Sequence, residues 1–483
     1  MKKTNITIFL FIVAAGIFLL KDLFRVVWFD EALTVFTMAQ ARNLTEIYYN
    51  YIIPNNQIVY TCLLRLWSDW NLMGISYDVY LRLLNFVISL LILGYLYGRF
   101  KTRFGSKMVY YCVALTLLLA PAFQIYSTAL RGYQLSMLFN LIAVDLAFSI
   151  ARKIKFSNTL LYLALSTLAV GTIPTNLLGL GMGVILVMPL VFASKNWWEK
   201  LLVLGGMPCL GLVIFYSPIA ENFINVCKLG EGIPDRWHVY GIVLLSFASS
   251  AFVILCGSII GFICYFKNKK NRKLRYLWWV LLIIAPLIPC LCLHIAPYYR
   301  VFYPTFIVWY ILLGFGLKHF FAMRLGRTTK KRNVHLALTF VLVALIVTSA
   351  WHNVLLGRMF SEKCNPHQDD LFIPYYVRED FQVNEVIKFL QENHYRAENI
   401  YCSFDSDPMA FMFYISYNDE IFLRKFKYNV GNREFKLLKA GDFVIVRKNA
   451  PVSQNKNRKV VKIAEFTYHD IYQCREAFDD FIR

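Results

Sequence analysis

Long apolar runs, separated by short polar segments, fill the first 353 residues of the chain. A helix needs about 20 residues to cross the hydrocarbon core of a bilayer, and each run is close to that length. The runs are 6–24, 79–98, 108–123, 133–150, 158–173, 176–193, 200–217, 241–266, 275–293, 301–320 and 334–353. The pattern predicts a polytopic α-helical membrane protein with about 11 transmembrane helices.

The segment between the first two runs follows a different pattern. Residues 25–78 contain the stretches LTVFTMAQA and IVYTCLLRLW, whose apolar residues recur at helical spacing. This spacing predicts short amphipathic helices that lie in the plane of the membrane surface. On spacing alone, the simplest role for this loop is a structural cap over the bundle.

Residues 354–483 lack long apolar runs and alternate between helix and strand patterns. VNEVIKFLQENH and DPMAFMFYIS predict helices, whereas NIYCSF, DFVIVRK and KVVKIAEF predict strands. We therefore expect a C-terminal α/β domain at 354–483 after a transmembrane domain at 1–353. The C-terminal sequence shows no catalytic cluster, which favours a role in acceptor binding or as a lid.

Charge predicts the orientation of the chain. The formal net charge is +21, although only 17% of the residues are charged. Residues 354–483 are neutral, so the excess lies in the transmembrane domain, where basic residues gather in alternate loops. By the positive-inside rule, those loops and the N-terminus are cytoplasmic, and the C-terminal domain lies outside the plasma (inner) membrane. Basic residues in short loops between spans are orientation signals, which argues against nucleic-acid binding.

Two neighbouring acids, Asp30 and Glu31, follow the first span on the predicted outer side. Carboxylates near the membrane plane are functional candidates by default. Asp30 could bind a cation, deprotonate a hydroxyl, or pair with Arg25. Asp145 also lies within a span, but a transporter or flippase of a lipid-linked substrate would need more polar residues deep in several spans.

Arg82, Arg131 and Arg300 lie at the predicted outer ends of three spans, each beside aromatic residues. An arginine at a span end commonly extends to the interface as an anchor. A guanidinium also binds phosphate oxygens bidentately, and nearby tyrosine hydroxyls add donors. The sequence leaves both interpretations open. Glycosyl transfer from a lipid phosphate would use a carboxylate as base and cations on the departing phosphate.

The order of WFDEALT, NNQIVYTCLLRLW, YDVYLRLLNFVISLL, QIYSTALRGYQLSMLFNLIAV and HIAPYYRVFYP resembles that of GT-C glycosyltransferases of the family 39 and ArnT-like type. The resemblance covers residues 1–320. It implies an enzyme that moves a sugar from a polyprenyl-phosphate donor to an acceptor hydroxyl on the outer face, with inversion. Membrane lipids are the other expected partners.

The same resemblance implies roles for individual residues. Asp30 matches the acid assigned as catalytic base, and Glu31 matches its neighbour. The positions that the resemblance implies for the donor phosphate and lipid are Arg82, Arg131, Tyr133, Tyr299 and Arg300.

The chain departs from the family pattern at three places. Asn55-Asn56-Gln57 stands where the family usually has His-Pro-Pro, Ala129 where it often has an acid, and Thr175-Asn176 where it often has His-Tyr. Amides bind divalent ions poorly, so the sequence does not support a divalent cation or any other cofactor. The residues proposed for acceptor binding or support are Asn56, Gln57 and His294. The departures leave open a non-catalytic membrane protein of the same origin, and the acceptor could be a lipid, a glycan or a protein.

Overall fold

A computed structural model describes residues 3–24, 27, 29–50, 57–70, 75–105, 107–229, 303–322, 383–393, 400–402, 427–428, 440–447, 458–466 and 469–476. The chain divides into two units. The helical unit comprises Met1–Leu23, Ala41–Asn71 and Tyr80–Tyr375, and the sheet unit comprises Phe24–Gln40, Leu72–Val79 and Tyr376–Arg483. The predicted domain boundary at 353/354 lies outside the described residues.

Apolar helices of different lengths build the helical unit. They are α1 (Lys3–Leu20), α3 (Leu44–Tyr49), α4 (Ile58–Ser68), α5 (Tyr77–Tyr95), α6 (Lys101–Phe104), α7 (Lys107–Leu119), α8 (Pro121–Tyr126), α9 (Tyr133–Arg152), α10 (Phe156–Thr172), α11 (Asn176–Phe192), α12 (Trp197–Tyr216), α13 (Ala220–Leu229) and α14 (Phe306–Ala322). The first three residues of α5 fall in the sheet unit, as does α2 (Phe29–Gln40). A π-helical segment, Leu96–Phe100, continues α5 into α6.

Several helices have the length and composition of membrane spans, which confirms the predicted polytopic helical class. In the described part of the chain, Ile6–Phe24, Tyr77–Phe104, Tyr133–Arg152 and Trp197–Val226 are long and apolar enough to cross a membrane. Shorter apolar helices occupy Ile58–Ser68, Val109–Leu119, Phe156–Thr172, Asn176–Phe192 and Tyr303–Lys318. The predicted spans 241–266, 275–293 and 334–353 lie outside the described residues, so the total number of spans stays a prediction.

Prolines set two of the boundaries between helices. The predicted span 108–123 is two helices instead of one, because α7 ends at Leu119 and α8 starts with Pro121. Proline suits the first turn of a helix, where its missing N–H has no intrahelical partner. The turn that contains Pro174 separates α10 from α11, as the sequence predicts.

The first loop contains the short helices that its apolar spacing predicts. Ile58 of α4 is buried against Tyr216 of α12, and the Tyr48 hydroxyl of α3 donates a hydrogen bond to the Phe215 carbonyl. α3 and α4 therefore pack against other helices of the bundle through their apolar sides.

Asp145, the acid within a predicted span, is 1% exposed and forms ion pairs with two arginines. Its carboxylate lies 2.7 Å from Arg99 Nε and also pairs with Arg103, and it accepts a hydrogen bond of 3.0 Å from the Tyr95 hydroxyl. Lys318 Nζ donates to the Arg103 carbonyl at 2.8 Å, which ties α14 to the same cluster. The charge of Asp145 is thus balanced inside the bundle and holds α9 to the π-helical segment and α6.

The sheet unit contains a mixed five-stranded sheet. Its strands are β1 (Ile400–Cys402), β2 (Lys427–Tyr428), β3 (Phe443–Arg447), β4 (Arg458–Glu465) and β5 (His469–Glu476). The order across the sheet is β2-β1-β3-β5-β4, with β1 parallel to β2 and β3, and β5 antiparallel to β3 and β4. The predicted amphipathic helix is α15 (Val383–Glu392), whose Phe389 ring lies 5.7 Å from that of Phe466.

Three of these strands confirm the sequence prediction, whereas β5 was not predicted. The predicted strands are β1, β3 and β4, and the predicted helix DPMAFMFYIS lies outside the described residues. β5 begins with His469 and Asp470, two polar residues that the sheet nevertheless buries. Lys462 Nζ on β4 lies 3.0 Å from Asp470 Oδ1, and hydrogen bonds to Asp470 and Glu465 raise the pKa of Lys462. Pairing across the strands thus makes a polar sequence compatible with an inner strand.

The Asp145 ion pairs predict a large effect on stability. Asp145→Asn should destabilise the protein by about 3 kcal/mol, because it removes the buried carboxylate that pairs with Arg103, whose side chain is 14% exposed. The melting temperature of the detergent-solubilised protein would then fall by several degrees. Glu221→Gln, at an exposed acid on α13, is the control and should melt like wild type. Equal melting temperatures for Asp145→Asn and wild type would show that the ion pairs do not hold these helices together.

Candidate functional site

The predicted catalytic acids lie in the first turn of α2, in the sheet unit. Asp30 is half-buried, and its backbone carbonyl accepts a hydrogen bond of 2.9 Å from the Thr34 hydroxyl, four residues along the helix. Glu31 is fully buried. Acidic residues in the first turn are favourable to a helix because its N-terminus carries partial positive charge. Because Glu31 is buried and Asp30 is only half-buried, Asp30 is the more accessible of the two carboxylates.

Arg82 lies in the first part of α5, in the helical unit. Its side chain is 0% exposed, and Nη1 donates to the Leu23 carbonyl at 3.0 Å. This hydrogen bond connects α5 to the segment that follows α1.

Arg131 lies in the turn between α8 and α9, and its side chain is 1% exposed. The Arg131 guanidinium carbon lies 5.8 Å from the centre of the buried Tyr133 ring, within the range of a cation–π contact. Burial of Arg82 and Arg131 argues against the anchor interpretation, since an anchor extends its charged end to the interface. The sequence had left that interpretation open for both residues.

Two amide side chains hold the backbone around Arg131. Asn85, one turn after Arg82 on α5, donates to the Arg131 carbonyl at 2.8 Å and also to the Ala129 carbonyl. The Gly132 N–H donates to the Gln57 side-chain oxygen. A turn inside an apolar bundle has backbone groups that no helix satisfies, and here side chains satisfy three of them. Gln57, predicted as an acceptor or support residue, contacts the Arg131 turn through this hydrogen bond, and its functional role stays a prediction.

A second row of polar contacts starts beside Tyr133. Gln134 donates to the Ser89 hydroxyl at 2.9 Å and accepts from the Tyr303 hydroxyl at 2.6 Å. The Tyr126 ring lies 4.6 Å from the Tyr133 ring and 4.7 Å from the Tyr303 ring, measured between centroids. These contacts join α5, α8, α9 and the short segment before α14 at the level of Arg131.

Sequence reasoning missed Asn85, Ser89, Gln134 and Tyr303. The available signal was the occurrence of amides and a hydroxyl inside apolar runs, as in LRLLNFVISLL and RGYQLSMLFN.

The argument against a transporter also needs correction, because it counted Asp145 as the only deep polar residue of the spans. The described helices bury several neutral polar side chains besides it. They are Asn85, Ser89, Gln134, Ser136, Asn140, Ser166 and Asn176.

Asn176, which stands where the family often has a tyrosine, belongs to a separate network. Its amide donates to the Ser136 hydroxyl at 2.9 Å and accepts from the Asn140 amide at 3.0 Å. The network connects α9 with α11. Within the described residues, no group of three or more His, Cys, Asp and Glu side chains could hold a metal ion.

Four predicted site residues lie outside the described part of the chain. They are Asn56, His294, Tyr299 and Arg300. The structure brings Arg131, Tyr133 and Gln57 together, and Asn85 connects this group to the helix of Arg82. Asp30 and Glu31 belong to the other unit.

Known proteins were compared with the chain at the levels of sequence and structure. No protein-family model and no curated protein matches the sequence. Among solved structures, ArnT from Cupriavidus metallidurans in the apo state matches with a TM-score of 0.55 and 13% identity, covering 97% of this chain and 98% of that chain. The same protein bound to undecaprenyl phosphate matches with a TM-score of 0.55 and 13% identity, covering 99% of both chains.

A third structure is less similar. The archaeal oligosaccharyltransferase AglB from Archaeoglobus fulgidus, in complex with an inhibitory peptide and a dolichol-phosphate, has a TM-score of 0.48 and 11% identity. The match covers 92% of this chain and 69% of that chain. The fold assignment therefore rests on ArnT. The chain has the fold of ArnT, in agreement with the resemblance in motif order, and at 13% identity the likeness to ArnT is one of fold alone.

The Arg131 turn makes Gly132 intolerant of a side chain. A Cβ at Gly132 would lie 2.7 Å from Thr172 Cγ2 and 2.8 Å from Tyr60 Cβ. Gly132→Ala should therefore destabilise the protein by about 1–3 kcal/mol, the usual range for overpacking, as measured by thermal denaturation.

Gly94→Ala is the matched control, because its Cβ would meet no atom within 4 Å. It should be neutral or stabilise α5 by up to about 1 kcal/mol. Adding Thr172→Ser to Gly132→Ala removes one of the two clashing atoms and should restore part of the stability. A Gly132→Ala protein as stable as Gly94→Ala would contradict the close packing of this turn.

Proposed function

We propose that the protein is a glycosyltransferase that moves a sugar from a polyprenyl phosphate to an acceptor hydroxyl at the outer face of the plasma membrane. The observation that carries the proposal is the pair of buried arginines, Arg82 and Arg131, connected through Asn85, in a chain with the fold of ArnT. One ArnT structure is bound to undecaprenyl phosphate, a ligand with a lipid tail and a phosphate headgroup. Guanidinium groups held in an apolar bundle suit the phosphate of such a ligand.

In the proposed reaction, the acceptor oxygen attacks the anomeric carbon of the donor sugar. Asp30 accepts the hydroxyl proton as the new C–O bond forms. The bond between the anomeric carbon and the phosphate oxygen breaks, and the polyprenyl phosphate leaves with the electron pair. Arg82 and Arg131 stabilise the developing phosphate charge, and attack from the opposite face inverts the anomeric centre.

The two acids receive different roles in this proposal. A general base has to reach the acceptor hydroxyl within hydrogen-bond distance, which favours the half-buried Asp30. Glu31 is fully buried in the same turn of α2, and we assign it a supporting role beside Asp30. Tyr133 lies against Arg131 and would shape the pocket for the phosphate, with Tyr299 and Arg300 as further donors.

A binding experiment tests the phosphate site. The protein is reconstituted in lipid nanodiscs, and its affinity for undecaprenyl phosphate is measured. Arg131→Gln and Arg82→Gln should each weaken binding about 10- to 100-fold, since a hydrogen bond to a charged group contributes about 1.5–3 kcal/mol. Arg65→Gln on α4 is the control, because Arg65 is partly exposed and pairs with Asp69, and it should bind like wild type. Unchanged affinity in both arginine variants would refute the phosphate site.

A turnover experiment tests the base. Asp30→Asn should keep the affinity for undecaprenyl phosphate and lower kcat about 10²- to 10⁴-fold, the usual contribution of a general base. The assay uses a panel of polyprenyl-phosphate sugars and acceptor hydroxyls, with Asp69→Asn as the control at an exposed acid. Full turnover by Asp30→Asn would remove Asp30 from the mechanism.

The same panel distinguishes two alternative functions. Movement of the lipid across liposome membranes, without sugar transfer from any donor, would indicate a transporter or flippase. Binding without transfer or movement would indicate a non-catalytic GT-C protein. The buried amides of the bundle are neutral and hydrogen-bonded to one another and to backbone carbonyls, which favours a packed bundle over an aqueous path.

A further inference from the structure

Hydrogen bonds link Tyr303 to the backbone carbonyl of Asn85, and the side chain of Asn85 separately links α5 to the backbone of Arg131. The Tyr303 hydroxyl donates to Gln134 Oε1 at 2.6 Å, Gln134 Nε2 donates to Ser89 Oγ at 2.9 Å, and Ser89 Oγ donates to the Asn85 carbonyl at 2.8 Å. The Asn85 side-chain amide then donates to the Arg131 carbonyl at 2.8 Å. All five residues are at most 1% exposed.

The direction of each bond follows from the chemistry of the groups. A serine hydroxyl has one proton, and Ser89 uses it on the Asn85 carbonyl. Ser89 must therefore accept from Gln134, which assigns the Gln134 nitrogen to Ser89 and its oxygen to Tyr303. The bonds from Tyr303 through Gln134 and Ser89 to the Asn85 carbonyl form one cooperative series, and in a low-dielectric interior a broken member leaves buried polar groups unsatisfied.

Gln134 is the residue on which three elements converge. It belongs to α9, which begins two residues after Arg131, and contacts Ser89 on α5 and Tyr303, three residues before α14. α5 also carries Arg82 and Asn85. Loss of the Gln134 amide would remove the hydrogen bonds that α9 makes to Ser89 and to Tyr303 beside the turn that presents Arg131.

We propose that Gln134 is a positioning residue that holds Arg82 and Arg131 in register for the phosphate of a polyprenyl-phosphate ligand, through Ser89, Asn85 and Tyr303. The proposal rests on the proposed function, since it concerns the same phosphate. Gln134 itself does not contact the ligand. Its effect is on the affinity of the site, and a residue that only stabilised the fold would leave that affinity unchanged.

The test measures the dissociation constant for undecaprenyl phosphate in nanodiscs, together with the melting temperature of each variant. Gln134→Leu should weaken binding about tenfold, because both of its hydrogen bonds are lost. Tyr303→Phe removes one oxygen atom and should weaken binding by a smaller factor in the same direction. If Gln134→Leu does not fold, Tyr303→Phe carries the test alone.

A further variant separates positioning from stability. Asn140→Leu changes another fully buried amide on α9, whose partners are Ser136 and Asn176. It should lower the melting temperature and leave the affinity of the folded protein unchanged.

A double-mutant cycle gives the sharpest outcome. If Tyr303 acts through Gln134, Tyr303→Phe combined with Gln134→Leu should weaken binding no more than Gln134→Leu alone. Wild-type affinity in Gln134→Leu and Tyr303→Phe, with lowered melting temperatures, would overturn the positioning role while leaving the phosphate site intact. Absence of binding by the wild-type protein would overturn the proposed phosphate site and, with it, this inference.

Discussion

The turn between α8 and α9 imposes the constraint on which the rest of the helical unit depends. It interrupts helical hydrogen bonding among apolar helices, where no water is available to satisfy exposed carbonyls and N–H groups. Asn85 satisfies the carbonyls of Ala129 and Arg131, and Gln57 satisfies the N–H of Gly132. These two amides are buried because they satisfy the backbone groups of the turn. Their hydrogen bonds hold the backbone of Arg131 in place.

Charged side chains lie inside the bundle at two places. Asp145 pairs with Arg99 and Arg103, and these ion pairs hold helices together. Arg82 donates to the Leu23 carbonyl, and the Arg131 guanidinium lies against the Tyr133 ring while Asn85 holds the Arg131 backbone carbonyl. In the proposed function, these two guanidinium groups bind the phosphate of an anionic ligand.

The sequence predicted some elements well and others not at all. Apolar runs located the described spans, since a helix in lipid needs a continuous apolar stretch. The prediction of a single helix over 108–123 was wrong, because a second helix starts at Pro121. Strand β5 was missed because its first residues are polar and become acceptable only when Asp470 meets Lys462 on the neighbouring strand. Arg131 and Tyr133 were named as candidate site residues from the motif, whereas Gln134, the next residue after Tyr133, was not.

The sequence by itself determined the membrane class, the approximate ends of the described spans and the residue types available for chemistry. These follow from composition and spacing, which a linear pattern contains. Only the tertiary structure decided that Arg82 and Arg131 are buried instead of extending to the interface. It also decided that Asp145 forms ion pairs inside the bundle. The hydrogen bonds by which Gln134 connects Tyr303 to Ser89 are likewise visible only in three dimensions. The physical reason is that a hydrogen bond or ion pair depends on a distance of about 3 Å between groups far apart in the chain, and no local pattern encodes that distance.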